Sequence, residues 1–98
     1  MRNKYILHGK VAVPCDDLHK WAVSYEKDNR IVKQDEVDEV KVSTVFLGLD
    51  HSFGEGPPQL FETMVFGGVL DNTCVRCATW EEAEAQHSAM VAKVGLYE

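Results

Sequence analysis

The chain is short of several things. It has three prolines, three cysteines and two tryptophans in 98 residues. It has no apolar run approaching the roughly 20 residues that a membrane-spanning helix needs. Beyond residue 41 it has almost no positive charge: residues 42–98 contain only Arg76 and Lys93, against eight acidic residues. Each shortage excludes something. The missing apolar run excludes a helical membrane anchor, and no membrane partner is expected. The N-terminal residues lack the apolar core of about 7–15 residues that a secretory signal carries, so a cytoplasmic location is expected. Three cysteines are an odd number without an export signal, so reduced thiols are expected rather than a disulfide framework. The missing basic surface argues against nucleic acid, whose phosphates need Lys and Arg to neutralise them.

What remains is ordinary for a small globular protein. The composition is 45% hydrophobic and 27% charged with a net charge of −6, and the length fits one domain with one modest core. The charge is unevenly spread. Residues 1–41 hold eight basic and eight acidic residues, so the negative excess belongs wholly to the remainder. Such a surface suits solubility or a basic protein partner.

The periodicities alternate between strand and helix. Residues 4–8 read as a strand, extended by Val11 and Val13 after a bend at Gly9 and closed by Pro14. Asp16 or Asp17 then offers an N-cap. Leu18, Trp21, Ala22 and Tyr25 follow at helical spacing, and the helix should end near Asn29. Residues 30–37 read as a strand with acidic, edge-protecting side chains, and Asp38-Glu39 as a turn. Residues 40–50 and 59–66 carry the two strongest strand signals. Between them lies a loop with two glycines and two prolines. Gly67-Gly68 and Asp71-Asn72 mark another turn, and residues 74–78 a short strand. Thr79, with Glu82 three residues on, spells a capping box. Trp80, Ala83, His87, Met90, Val91 and Val94 then make the buried stripe of a second helix. The order predicts an α+β fold: an antiparallel or mixed sheet of about four to five strands with two helices packed on one face.

Both parities of the strong strands are apolar: Val45, Leu47, Leu49, Phe61 and Val65 at odd positions, Val42, Phe46, Leu60, Met64 and Phe66 at even ones. A sheet with one wet face should alternate. A second cover is therefore expected, first a homodimer or higher homo-oligomer, then a ligand, then loops folding over.

The candidate chemistry clusters at the Gly/Pro loop. Asp50 and His51 end one strong strand, and Glu62 sits in the next among apolar neighbours, where a carboxylate must be paired or protonated. If parity is kept across the hairpin, Asp50, Glu62 and Thr44 share a face. Phe53 is placed to stack on a ligand, and Gly54 and Gly56 to offer backbone N–H groups to an anion. The loop is no P-loop, since it lacks the Lys-Ser/Thr pair. His87 is expected to be a satisfied core histidine, or else to reach Asp50 or Glu62. Asp50-His51 is not a catalytic pair, because adjacent strand residues point to opposite faces, and no G-x-S-x-G elbow is present. Cys74 and Cys77 spell C-x-x-C, but a zinc site needs further ligands at matching spacing. No metal and no cofactor are expected.

Residues 42–51 (Val-Ser-Thr-Val-Phe-Leu-Gly-Leu-Asp-His), residues 54–58, residues 60–67 (Leu-Phe-Glu-Thr-Met-Val-Phe-Gly) and the Thr79-Trp-Glu-Glu-Ala-Glu-Ala run with His87 resemble a group of small proteins of tailed phages, prophages and bacteria. That group has no assigned activity, so the resemblance carries over no catalytic residue. It implies an accessory role in the host cytoplasm, such as inhibiting a host protein or sequestering a nucleotide signal of host defence.

The expectation is thus a non-enzymatic binding protein for a small polar, nucleotide-like ligand or a host protein, with Asp50, His51, Phe53, Gly54, Gly56, Glu62 and His87 as its site. The first alternative is a small metal-dependent enzyme using Asp50, His51, Glu62 and His87. The second is a structural or interaction module.

Overall fold

A computed structural model describes residues 3–52 and 55–97. Among the described residues six strands and two helices follow in the order β1 (Tyr5–His8), β2 (Val11–Pro14), α1 (Leu18–Lys27), β3 (Ile31–Val37), β4 (Val40–Phe46), β5 (Phe61–Phe66), β6 (Cys74–Cys77) and α2 (Trp80–Tyr97). All pairings are antiparallel. β3-β4-β5-β6 form the main sheet in chain order, and β1-β2 a separate hairpin. The fold is α+β with helices packing on sheets, as the element order predicts.

The local signals explain the element ends. Gly9 holds φ +64° at the first turn position between His8 and Val11, so the chain reverses there into a hairpin rather than bending within one strand. Asp17 caps α1 by accepting the Lys20 N–H at 3.0 Å. The capping box of α2 is reciprocal: Glu82 N–H donates to Thr79 Oγ1 and Thr79 N–H to Glu82 Oε1, each at 3.1 Å. The β3-β4 turn has both central residues left-handed, Asp38 at φ 48° and Glu39 at φ 72°. Aspartate tolerates that region, whereas glutamate is strained in it. Glu39→Gly is therefore expected to raise the unfolding free energy by about 0.5–1 kcal/mol, read as a shifted urea midpoint at unchanged slope.

The β4-β5 register decides which side chains share a face. Val42 lies opposite Val65, Thr44 opposite Thr63 and Phe46 opposite Phe61. Even positions of β4 thus meet odd positions of β5, and that face, under α2, is apolar but for the two threonines. It holds two buried clusters. Val40, Val42 and Val65 meet Met90 and Val94 of α2 at one end. Phe46, Leu60 and Phe61 meet Ala83 at the other.

The opposite face carries Lys41, Ser43 and Val45 of β4, and Glu62, Met64 and Phe66 of β5. It is a mosaic. Lys41 stands over the Phe66 ring, Gln34 donates to Ser43 Oγ at 3.0 Å, and Phe66 is 45% exposed. The expectation that Asp50, Glu62 and Thr44 share a face pairs equal parities across the loop. The observed register pairs opposite ones, so the polar residues of both strands collect on the outer side and tolerate water.

The helices differ in their support. α2 lies along the main sheet and contacts all four of its strands. α1 packs on β1 and reaches the end of β4 through Trp21, whose indole donates to the Gly48 carbonyl at 3.0 Å. Gly48 is at φ +75°, and a Cβ there would stand 3.2 Å from the Tyr25 ring. This is the position where glycine is needed for close approach.

Candidate functional site

The loop after β4 is held shut by Asp50. Its Oδ1 accepts the Ser52 N–H at 2.8 Å and the Gln59 N–H at 3.0 Å, and the His51 N–H donates to the Gln59 carbonyl at 3.1 Å. One carboxylate oxygen therefore ties both ends of the loop. The Ser52 backbone hydrogen bond is the main reason that the Asp50 carboxyl lies below its ordinary value of 3.8. Desolvation opposes this, while the Gln59 hydrogen bond and the His51 charge add to it. A lowered folded-state pKa gives stability that is present above the unfolded value and lost as pH falls through the folded one. The loop is therefore expected to loosen only below pH about 4. The Ser52 and Gln59 amide signals report it, and Asp50→Asn should abolish that pH dependence.

Beside this loop lies a shallow basin of about 550 Å³, lined by His51, Ser52, Glu55, Gly56, Gln59 and Arg76, with Pro57 and Cys74 at its sides. Arg76 comes from β6, where it lies opposite Glu62 of β5. Its Nε donates to Glu62 Oε2 at 3.0 Å. Glu62 thereby fixes one edge of the guanidinium, and no protein acceptor for the other edge is found among the described residues. A fixed guanidinium with a free fork recognises carboxylate or phosphate well.

The thiols of the C-x-x-C do not add a nucleophile. Burial and then Glu62 raise the Cys74 thiol pKa, and burial with the Glu82 charge pushes Cys77 up to about 11. Reactive cysteines need the opposite shift. The two also lie on opposite faces, Cys74 opposite Met64 and Cys77 opposite Phe61.

His87 belongs elsewhere. It is 1% exposed and lies between the two core clusters, in a polar belt across the sheet. Its Nε2 meets Asp35 Oδ2 at 2.7 Å and its Nδ1 meets Thr44 Oγ1 at 2.7 Å. Thr44 Oγ1 meets Thr63 Oγ1 at 2.6 Å, and Gln86 Nε2 reaches Thr63 Oγ1 at 2.9 Å. The proton order follows from one fixed acceptor. Gln86 Nε2 also lies 3.2 Å from the Val75 carbonyl, which can only accept, so this end of the amide is the nitrogen. It donates to Thr63, Thr63 donates to Thr44, Thr44 donates to Nδ1, and Nε2–H donates to Asp35. Every group is then satisfied. The acid-imidazole-hydroxyl order looks like a hydrolase triad turned inward. The acid is at the surface and the hydroxyls, both 0% exposed, meet no substrate.

The structure thus brings His51 and Gly56 together and joins Glu62 to them through Arg76. Asp50 supports them from within the loop. Phe53 and Gly54 lie outside the described residues. His87 meets neither Asp50 nor Glu62, because the register turns Glu62 to the outer face while α2 covers the inner one. For the same reason Thr44 does not share a face with Glu62. Among the described residues no group of three or more His, Cys, Asp or Glu side chains is arranged to hold a metal, and none of their helices is long and apolar enough to cross a membrane.

Arg76 and Asp35 escaped the sequence reading as site or core partners. Arg76 had a signal: a hairpin centred on Val69 sets Glu62 and Arg76, seven residues to either side, opposite each other. Asp35 had none, since its contact with His87 spans 52 positions.

The fold and site define a small antiparallel α+β domain with an arginine-bearing polar basin beside a carboxylate-tied loop. No family model, no curated protein and no solved structure matches the chain.

Proposed function

We propose that the chain is a non-catalytic binding protein whose basin takes a small anionic ligand, a phosphorylated or carboxylated polar molecule, and acts by sequestering it. The observation that carries this reading is Arg76, held on one edge by Glu62, with no acceptor for the other edge among the described residues, and lining a basin with His51, Ser52 and Gly56. Sequestration rather than turnover is supported by how the candidate catalytic groups are engaged. Asp50 is taken up by the loop, His87 by the core, and the cysteines are kept as thiols. The resemblance to phage accessory proteins agrees with such a role and rests on the quoted residues alone. A metal-dependent reaction has less support, because Asp50, Glu62 and His87 point to three different places.

The test is a titration of the 98-residue chain with ribose 5-phosphate, followed by calorimetry. Binding is expected, and Arg76→Ala should weaken it about 10–100-fold, the worth of a charge-assisted contact. Chromatography should recover the ligand unchanged. Turnover, or affinity indifferent to Arg76, would reject the reading.

Homo-oligomerisation through the outer sheet face is a weaker proposal. Four strands about 4.8 Å apart and some six residues long make a face of roughly 300–400 Å². A stable interface buries about 800 Å² per partner.

A further inference from the structure

Pro57 has a second side. Across it from the basin runs a groove of about 340 Å³, walled by Tyr5, Val11, Pro57, Pro58, Leu60 and Trp80. Lys10, Thr79 and Glu81 stand at its rim. Both depressions are lined by Pro57, so they adjoin at that residue. We infer, resting on the basin reading above, that the ligand is bipartite: an anionic group at Arg76 and a planar heteroaromatic ring, such as a nucleobase, laid in the groove beyond Pro57.

Three features favour such a ring over an aliphatic tail. The walls include an indole and two pyrrolidine rings, groups that stack on a plane. The groove of about 340 Å³ has room for a purine or pyrimidine ring with part of its sugar. The rim offers an ammonium, a hydroxyl and a carboxylate, so ring nitrogens, carbonyls and exocyclic amines each find a partner. A saturated chain would desolvate those groups without compensation. Lys10 stands over the Trp80 ring, 5.8 Å from its centroid, so an incoming ring takes that place and moves the ammonium to its edge, where a ring carbonyl or nitrogen accepts from it. The indole N–H of Trp80 is buried and has no acceptor among the described residues, so its resonance reports on packing in the groove.

The experiment compares ribose 5-phosphate with adenosine and uridine 5′-monophosphates on the uniformly ¹⁵N-labelled chain, by calorimetry and by amide and indole shifts. At least one mononucleotide is expected to bind ten-fold or more tightly than the sugar phosphate, and to move the Val11, Ala12 and Trp80 indole signals, which the sugar phosphate leaves in place. Val11→Trp fills the groove at a side chain that is 62% exposed. It should bring the mononucleotide down to the affinity of the sugar phosphate, with the amide spectrum still dispersed as in a folded chain. Equal affinities for all three probes, with no movement at Val11 or Trp80, would overturn the bipartite ligand while leaving the basin intact. Mononucleotide binding that survives Val11→Trp unchanged would overturn it as well. Failure of the sugar phosphate to bind, or binding indifferent to Arg76→Ala, would instead strike the basin and take the groove down with it.

Discussion

His87→Ala should lower the unfolding free energy by about 3–5 kcal/mol. Two terms add. The first is the cavity left by an imidazole that is 1% exposed, at the centre of the helix-sheet interface. The second is the loss of the acceptor for Thr44, which strands a hydroxyl that is 0% exposed. For a chain of this size that is a fall of roughly 12–40 °C in Tm, at about 4–8 °C per kcal/mol. His87→Phe separates the terms, since it refills the space but still orphans Thr44. Adding Thr44→Val and Thr63→Val to His87→Phe should recover much of the loss, because replacing all partners by apolar groups leaves few of them unpaired. Asp35→Asn should cost about 1 kcal/mol or less, as the amide oxygen can still accept from Nε2–H and the side chain is 41% exposed. The measurement is thermal and urea unfolding of each variant. A His87→Ala protein within 1 kcal/mol of wild type would refute the polar belt as a support of α2.

The same result bears on the enzyme alternative. A His87 variant that loses function by unfolding says nothing about chemistry, whereas Arg76→Ala, which breaks only a part-exposed pair with Glu62, should cost far less stability and still weaken the ligand about 10–100-fold.

Phe61→Ala is the second large effect, about 3–5 kcal/mol. Phe61 is 0% exposed. Its ring lies 5.3 Å from that of Phe46 and meets Trp80 edge-on at 6.2 Å. Removing it empties the cluster that also holds Leu60 and Ala83. Phe61→Leu keeps most of the volume and should cost about 1.5 kcal/mol or less. The milder variant carries a functional expectation too. Phe61 backs Leu60 and Trp80, two walls of the groove, so Phe61→Leu should weaken mononucleotide binding more than sugar phosphate binding. Ala83 stands one turn before His87 on α2, so Phe61→Ala and His87→Ala are close enough to couple, and their sum should not be additive. A Phe61→Ala protein that melts with wild type would mean that this cluster does not hold the sheet to the helix.

Much of the fold was legible in local chemistry. The Thr79-Glu82 capping box, the Asp17 cap, the Asp38-Glu39 turn and the stripe Ala83, His87, Met90 and Val94 each depend on residues within a few positions of one another. Short-range hydrogen bonds and helical spacing decide such features wherever they occur. The loop at Asp50 was legible as a loop for the same reason, and His87 as a satisfied core histidine from its place on the stripe.

Only the tertiary structure decided what those pieces meet. Whether Glu62 faces the helix or the outside depends on the β4-β5 register, and a slip of one residue inverts every side chain. That register turned Glu62 to the outer face, paired Thr44 with Thr63, and left the outer face mixed rather than apolar. The partner of His87 proved to be Asp35, a residue that reads in sequence as a solvated edge acid. The basin and groove on either side of Pro57 gather residues from the β1-β2 hairpin, the loop, β6 and α2. Their adjacency is a property of packing between segments far apart in the chain, and no local pattern records it.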